Sequence, residues 1–111
     1  TPDPAATHLR ATCAEQLGRA IRAAFVALEV RQRNLLRQHF LDELTIDDLA
    51  RLYRVHRATC ARWLAQARLD LGRRARQHLV GALGSAADVD SVLRLLDGDV
   101  ELSLARLLAS R

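Results

Sequence analysis

LTIDDLARLYRVHRATCARWLAQAR, residues 44–68, reads as a short helix, a tight turn and a longer helix. Thr45 has the side chain of a helix N-cap. Asp48 follows three residues later and completes a shortened capping box. Asp47 and Asp48 both fall in the first turn, where the positive end of the helix dipole favours acids. Ile46, Leu49, Ala50 and Leu52 can face inward. Ala50 is small enough to let a second helix approach closely, and a bulky side chain there is expected to spoil the crossing. Tyr53–Arg54–Val55–His56 is the expected turn, with Val55 directed inward between the helices. From Arg57 onward Cys60, Leu64, Ala67 and Leu71 recur at steps of three and four, flanked by Trp63, which predicts a long amphipathic helix over 57–80.

The sequence on either side is also helical in pattern. Residues 1–6 (TPDPAA) read as a flexible leader, with Thr7 as the cap of a first helix. Leu9, Cys13, Leu17, Ile21, Ala24, Phe25 and Leu28 form its apolar stripe. Glu29 and Val30 interrupt that stripe. A second helix is expected at about 31–41, carrying Leu35, Leu36, Phe40 and Leu41, before an acidic bend at Asp42–Glu43. Downstream, Gly81, Gly84 and Ser85 mark a break, with Ser85 as the next N-cap and Asp88 at the third helical position. Val89, Val92, Leu93 and Leu96 make another stripe; Asp97–Gly98–Asp99 is an expected turn before a last short helix with Val100, Leu104, Leu107 and Leu108. The chain of 111 residues has one domain's length, is 50% apolar, and carries proline only at Pro2 and Pro4. No stretch alternates long enough to predict a sheet. The expected fold class is all-α: a compact helix-turn-helix domain over 7–80 and a C-terminal helical extension over 81–111 packing on it.

Charge gives this framework a direction. All 17 basic residues are arginine. Arg51, Arg54, Arg57, Arg62, Arg68, Arg73, Arg74 and Arg76 stand against the single acid Asp70 in residues 51–78, whereas residues 41–50 hold only acids. Positive charge concentrated on one helix and its continuation is the electrostatic footprint of a phosphate-binding surface. On the face opposite the core stripe lie Arg57, Ala58, Ala61, Arg62, Ala65 and, at its edge, Gln66. Alanines there would let the helix enter a major groove. Arginine can pair bidentately with guanine and glutamine with adenine. Thr59 is placed to meet a phosphate or a thymine methyl, and Arg54, Arg68, Arg73 and Arg74 to contact the DNA backbone. Trp63, beside the apolar stripe, is expected to pack between helices rather than stack on bases.

Other chemistries find no foothold. Cys13 and Cys60 form no CxxC pair and read as small apolar fillers. His8, His39, His56 and His78 are dispersed, so neither a metal site nor a cofactor is implied. No nucleophile elbow, Walker loop or paired-carboxylate motif appears, and the expectation is that the chain is not an enzyme. No apolar run reaches a membrane span and no signal peptide is visible, which predicts a cytoplasmic protein without membrane contact. Thr1 is not an initiator residue, so the chain is expected to be a processed or excised piece of a longer one.

Taken together, AFVALEVRQRNLLRQHFLDELT followed by IDDLARLYRVHRATCARWLAQAR resembles the C-terminal promoter-recognition domain, region 4, of bacterial sigma-70 family RNA polymerase sigma factors. The extracytoplasmic-function type is the nearest in pattern. Leu49, Ala50, Leu52, Val55, Thr59, Leu64, Ala67 and Arg68 fall on the family's usual residue types, the resemblance spans residues 17–79, and SVLRLLDGDVELSLARLL resembles a tail of a myxobacterial branch. The resemblance implies recognition of a promoter −35 element in double-stranded DNA while the domain is docked on the flap of the polymerase β subunit. Carried over by position, Arg57, Ala58, Ala61, Arg62 and Gln66 would face bases, and Thr59 and Arg68 the backbone. The chain departs from the family where a turn glycine is often found and Arg54 stands instead; a left-handed backbone there would cost about 1–2 kcal/mol. It departs again at Ala61 and Ala65, where side chains are frequently polar or larger. The alternative function is a protein-interaction module, in which an anti-sigma partner captures the basic helix or the tail acids Asp88, Asp90, Asp97, Asp99 and Glu101 cover it.

Overall fold

A computed structural model describes residues 3–95, and for residues 6, 10 and 91–95 it describes the backbone. The described residues form five helices and no strand: α1 (Pro4–Ala27), α2 (Val30–Phe40), α3 (Ile46–Tyr53), α4 (Arg57–Leu83) and α5 (Ala86–Leu95). The all-α expectation therefore holds. α4 is the central element and packs against each of the other four helices.

The helix ends follow from local chemistry, and some differ from the sequence reading. α1 starts at Pro4, not Thr7, so the leader read over 1–6 is helical from Pro4 on. Proline suits the first helical position because its missing N–H would have no partner there. Asp3 supplies the cap by accepting from the Ala5 N–H at 3.1 Å. Thr7 instead bonds back to the Asp3 carbonyl through its hydroxyl. At the other end, the Arg33 guanidinium donates to the Leu28 carbonyl at 2.5 Å and the Val26 carbonyl at 3.1 Å, satisfying acceptors that α1 leaves open. α2 follows almost at once, from Val30, with Glu29 as its cap residue.

α3 carries a complete capping box. Thr45 Oγ1 accepts from the Asp48 N–H and Asp48 Oδ2 from the Thr45 N–H, both at 3.0 Å. Tyr53 belongs to α3, so the connection to α4 is Arg54–Val55–His56. Arg54 has φ 56° and ψ 48°, the left-handed conformation. Its N–H donates to the Arg51 carbonyl, and the Val55 N–H donates to the Ala50 carbonyl at 3.0 Å. This pair of bonds is a Schellman motif, and Val55 packs against the core, the apolar contact that often accompanies it. Leu52 does not face inward; it is 57% exposed. Three-residue steps from Ile46 through Leu49 drift off the buried face, and Tyr53, four residues after Leu49, packs on the core instead.

α4 runs through Gly81 to Leu83 and ends at Gly84 rather than at Val80. Gly84 adopts φ 90° and donates its N–H to the Val80 carbonyl at 2.7 Å. Glycine inside a helix is tolerated at modest cost, whereas the left-handed terminus favours it strongly. Ser85 caps α5 by accepting from the Asp88 N–H, as expected.

The core joins one stripe from each helix: Leu17, Ile21, Ala24 and Phe25 of α1; Leu35 and Leu36 of α2; Leu49 and Ala50 of α3; Cys60, Leu64, Ala67, Leu71, Ala75 and Leu79 of α4; Val89 of α5. Leu9 keeps the α1 register but is 53% exposed. Periodicity fixes its angular position without supplying an opposing surface, and the buried stripe of α1 begins at Cys13. Cys60 is fully buried and burial pushes its thiol up, in keeping with an inert apolar filler. The expected stripe at Val92, Leu93 and Leu96, the turn at Asp97–Asp99 and the helix carrying Val100, Leu104, Leu107 and Leu108 lie outside the described side chains. No helix among the described residues is long and apolar enough to cross a membrane.

Candidate nucleic-acid interface

The side of α4 away from the core exposes Ala58, Arg62, Ala65, Gln66, Leu69, Arg73 and Arg76, while Arg57 is exposed at the helix start, in line with Leu64 and turned toward α3. α4 has 27 residues and is about 40 Å long, so this face greatly exceeds the width of one DNA groove. Four of the five expected base-facing residues, Arg57, Ala58, Arg62 and Gln66, are exposed. Ala61 and Thr59 are half-buried and flank the face. Arg54, in the turn, and Arg74, further along α4, are both exposed. Arg68 lies elsewhere: it is half-buried, with its guanidinium 5.0 Å from the centre of the Phe40 ring on α2.

The long side chains of this face are held by neighbours. Arg57 Nε lies 2.9 Å from Asp47 Oδ1, joining the start of α4 to the first turn of α3, and both side chains are more than half exposed. Arg62 donates to Thr59 Oγ1 at 3.3 Å. Gln66 Nε2 donates to Asp70 Oδ1 at 3.0 Å, and Arg73 donates to the same oxygen at 2.7 Å. The other carboxylate oxygen, Oδ2, accepts from Gln32 Nε2 of α2 at 2.7 Å. The Asp70 side chain is only 16% exposed. The Gln32 hydrogen bond, aided by Gln66, Arg73 and Arg74, holds its carboxyl below the usual value against the opposing effect of burial. Sequence reasoning noted Asp70 only as the lone acid of residues 51–78. Its position four residues after Gln66 and three before Arg73 was the available signal; the contact from Gln32 was not readable from spacing.

Behind this face, aromatic packing fixes α2, α3 and α4 together. Trp63 is half-buried between Arg31, whose guanidinium sits 4.1 Å from its ring centre, and Tyr53, which meets it edge-on at 6.2 Å. Burial pushes the Tyr53 phenol up, and its hydroxyl donates to Gln38 Oε1 at 2.8 Å. Trp63 thus has the inter-helix role expected of it. Further along α4, Arg76 forms an ion pair with Asp90 of α5, while Asp88 is engaged by the Ser85 cap. Among the described residues, no three His, Cys, Asp or Glu side chains gather in a way that could hold a metal ion.

Comparison with family models, curated proteins and solved structures finds no match to this chain.

Proposed function

We propose that the chain is the −35-reading domain, region 4, of a sigma-70 family sigma factor, binding duplex promoter DNA through α4 while docked on the polymerase β-subunit flap. The observation that carries this reading is the exposed Arg57–Ala58–Arg62–Ala65–Gln66 face, presented directly after a tightly capped short helix and a three-residue turn. The alanines keep the leading surface slim, and the arginines and glutamine carry the donor and acceptor groups that base edges accept. Arg54, Arg73 and Arg74 supply the phosphate contacts in this reading; Arg68, engaged with Phe40, is assigned to α2–α4 packing instead. The reading places the chain in the cytoplasm, as one part of a longer sigma factor.

Duplex binding should weaken steeply with salt. Replacing Arg57 and Arg62 together by Ala should weaken it at least about tenfold, equivalent to about 1.4 kcal/mol, and relax sequence preference. Unchanged affinity in that double variant would refute the assignment of the reading face.

The Arg76–Asp90 ion pair favours a second reading, in which the segment after α4 tempers DNA binding. Deleting residues 85–111 would test this poorly because it removes Val89, a fully buried core residue. Asp90→Asn is the better probe: tempering predicts tighter DNA binding at low salt, and unchanged binding would exclude it.

A further inference from the structure

Resting on the DNA reading above, we infer that Asp70 is a positioning residue that fixes the amide of Gln66 so that the glutamine reads adenine. The bond from Gln66 Nε2 to Asp70 Oδ1 uses one amide hydrogen and defines which way the amide faces. When the hydrogen trans to the carbonyl oxygen makes that bond, the second N–H lies beside the carbonyl oxygen, and both are left for a base edge. One donor beside one acceptor is the pattern that matches N7 and N6–H of adenine in the major groove. A glutamine on an exposed helix face without such an anchor would rotate about its terminal torsion and present either order of donor and acceptor.

Three features make Asp70 a built anchor rather than a surface acid. Its side chain is mostly buried. It takes donors from two helices, with Gln32 of α2 locking the oxygen opposite to the one that meets Gln66 and Arg73. It is also the lone acid of residues 51–78, where a carboxylate works against affinity for a polyanion. Asp70 therefore raises selectivity while lowering non-specific attraction, and these opposite signs are testable.

The test uses the whole chain and a duplex selected from a randomised pool, compared with the same duplex altered at the A·T pair that Gln66→Ala identifies. Asp70→Ala should raise affinity for unselected duplex about twofold or more at low salt, because a negative charge is lost. The same variant should reduce discrimination at that A·T pair about fivefold or more. In the Gln66→Ala background, Asp70→Ala should cause no further loss of discrimination. Asp70→Asn, nearly identical in shape, removes the charge but keeps an oxygen that accepts from Gln66; it should share the gain in unselected affinity and retain most of the discrimination, which separates loss of the anchor from loss of the charge. In the free protein, NMR order of the Gln66 side-chain amide should fall in Asp70→Ala. Unchanged amide order in Asp70→Ala, or discrimination retained in Asp70→Ala while Gln66→Ala loses it, overturns the inference alone. A wild-type chain without salt-dependent duplex affinity overturns the DNA reading and this inference with it.

Discussion

Replacing Arg54 by glycine should make the protein more stable while weakening the DNA binding proposed for it. Arg54 sits at φ 56° and ψ 48°, where the Cβ of an L-residue crowds the following carbonyl. That conformation costs about 1–2 kcal/mol, which glycine does not incur. Glycine also gives the unfolded chain more freedom, offsetting about 0.4–1 kcal/mol of the gain. The expected net gain is therefore about 0–1.6 kcal/mol, with a central value of about 0.8 kcal/mol, or about 3–6 °C in Tm for a domain of this size. Arg54→Ala is the necessary comparison because it removes the same charge but keeps the Cβ and its strain. It should stay within about 0.5 kcal/mol of the parent. Under the proposed function Arg54 contacts a phosphate, so each variant should lower the salt slope of DNA binding by about 0.9. Thermal unfolding and fluorescence titration at several salt concentrations would measure the two effects separately. A glycine variant no more stable than the alanine variant would refute the reasoning about strain.

Three other outcomes follow from the packing and the carboxylates. Ala50→Leu should destabilise by about 1–3 kcal/mol in denaturant titration, because Ala50 is 93% buried at the α3–α4 contact and its carbonyl accepts from Val55. Gly81→Ala should stabilise by about 0.5–1 kcal/mol, since Gly81 is inside α4 and an added Cβ would meet nothing within 4 Å. Asp48 and Asp70 titrate below their ordinary value of 3.8 in the folded chain, Asp48 chiefly through the Thr45 N–H and Asp70 chiefly through Gln32. Depressed native values mean that their contribution is present above the unfolded value and is lost as pH falls from about 4 through the lower native values. Thermal melts from pH 5 downward should show a shallower loss in Asp70→Asn than in the parent chain.

Much of the fold was legible because periodicity and capping are local. The steps Cys60, Leu64, Ala67, Leu71 placed the buried side of α4, and Thr45 with Asp48 placed the start of α3. The misses share a cause: they depend on what lies opposite a residue. Leu9 and Leu52 are apolar at plausible positions, yet the first has no covering surface among the described residues and the second is displaced by Tyr53. Pro4 was placed in a flexible leader, whereas it occupies the first position of α1. At the candidate site, sequence indicated which side chains point outward, but which neighbour holds each one is tertiary information. Hence the outward face of α4 was largely legible, while the half-buried flank of Ala61, the diversion of Arg68 to Phe40 and the Gln32–Asp70–Gln66 chain were not.

Those holding contacts bear on how so sparse a face could read sequence. Arg57, Arg62 and Gln66 are its long base-facing candidates, and alanine occupies most of the space between them. Ordering a free, rotamer-rich side chain on binding costs about 0.5–1.5 kcal/mol, comparable with the 1–3 kcal/mol that a good bidentate base contact supplies. Gln66, tied to a mostly buried carboxylate, would meet much of that cost in the free protein. Arg57 differs. Its partner Asp47 is exposed, and an exposed ion pair is worth only about 0–1 kcal/mol. Exchanging Asp47 for a guanine edge or a phosphate would therefore cost little, and Asp47 would act as a resting place rather than a barrier. On this account few readers suffice for Gln66 because it is pre-set and for Arg57 because it is easily released, and Arg62, held by a single 3.3 Å bond to Thr59, bears the largest ordering cost of the three.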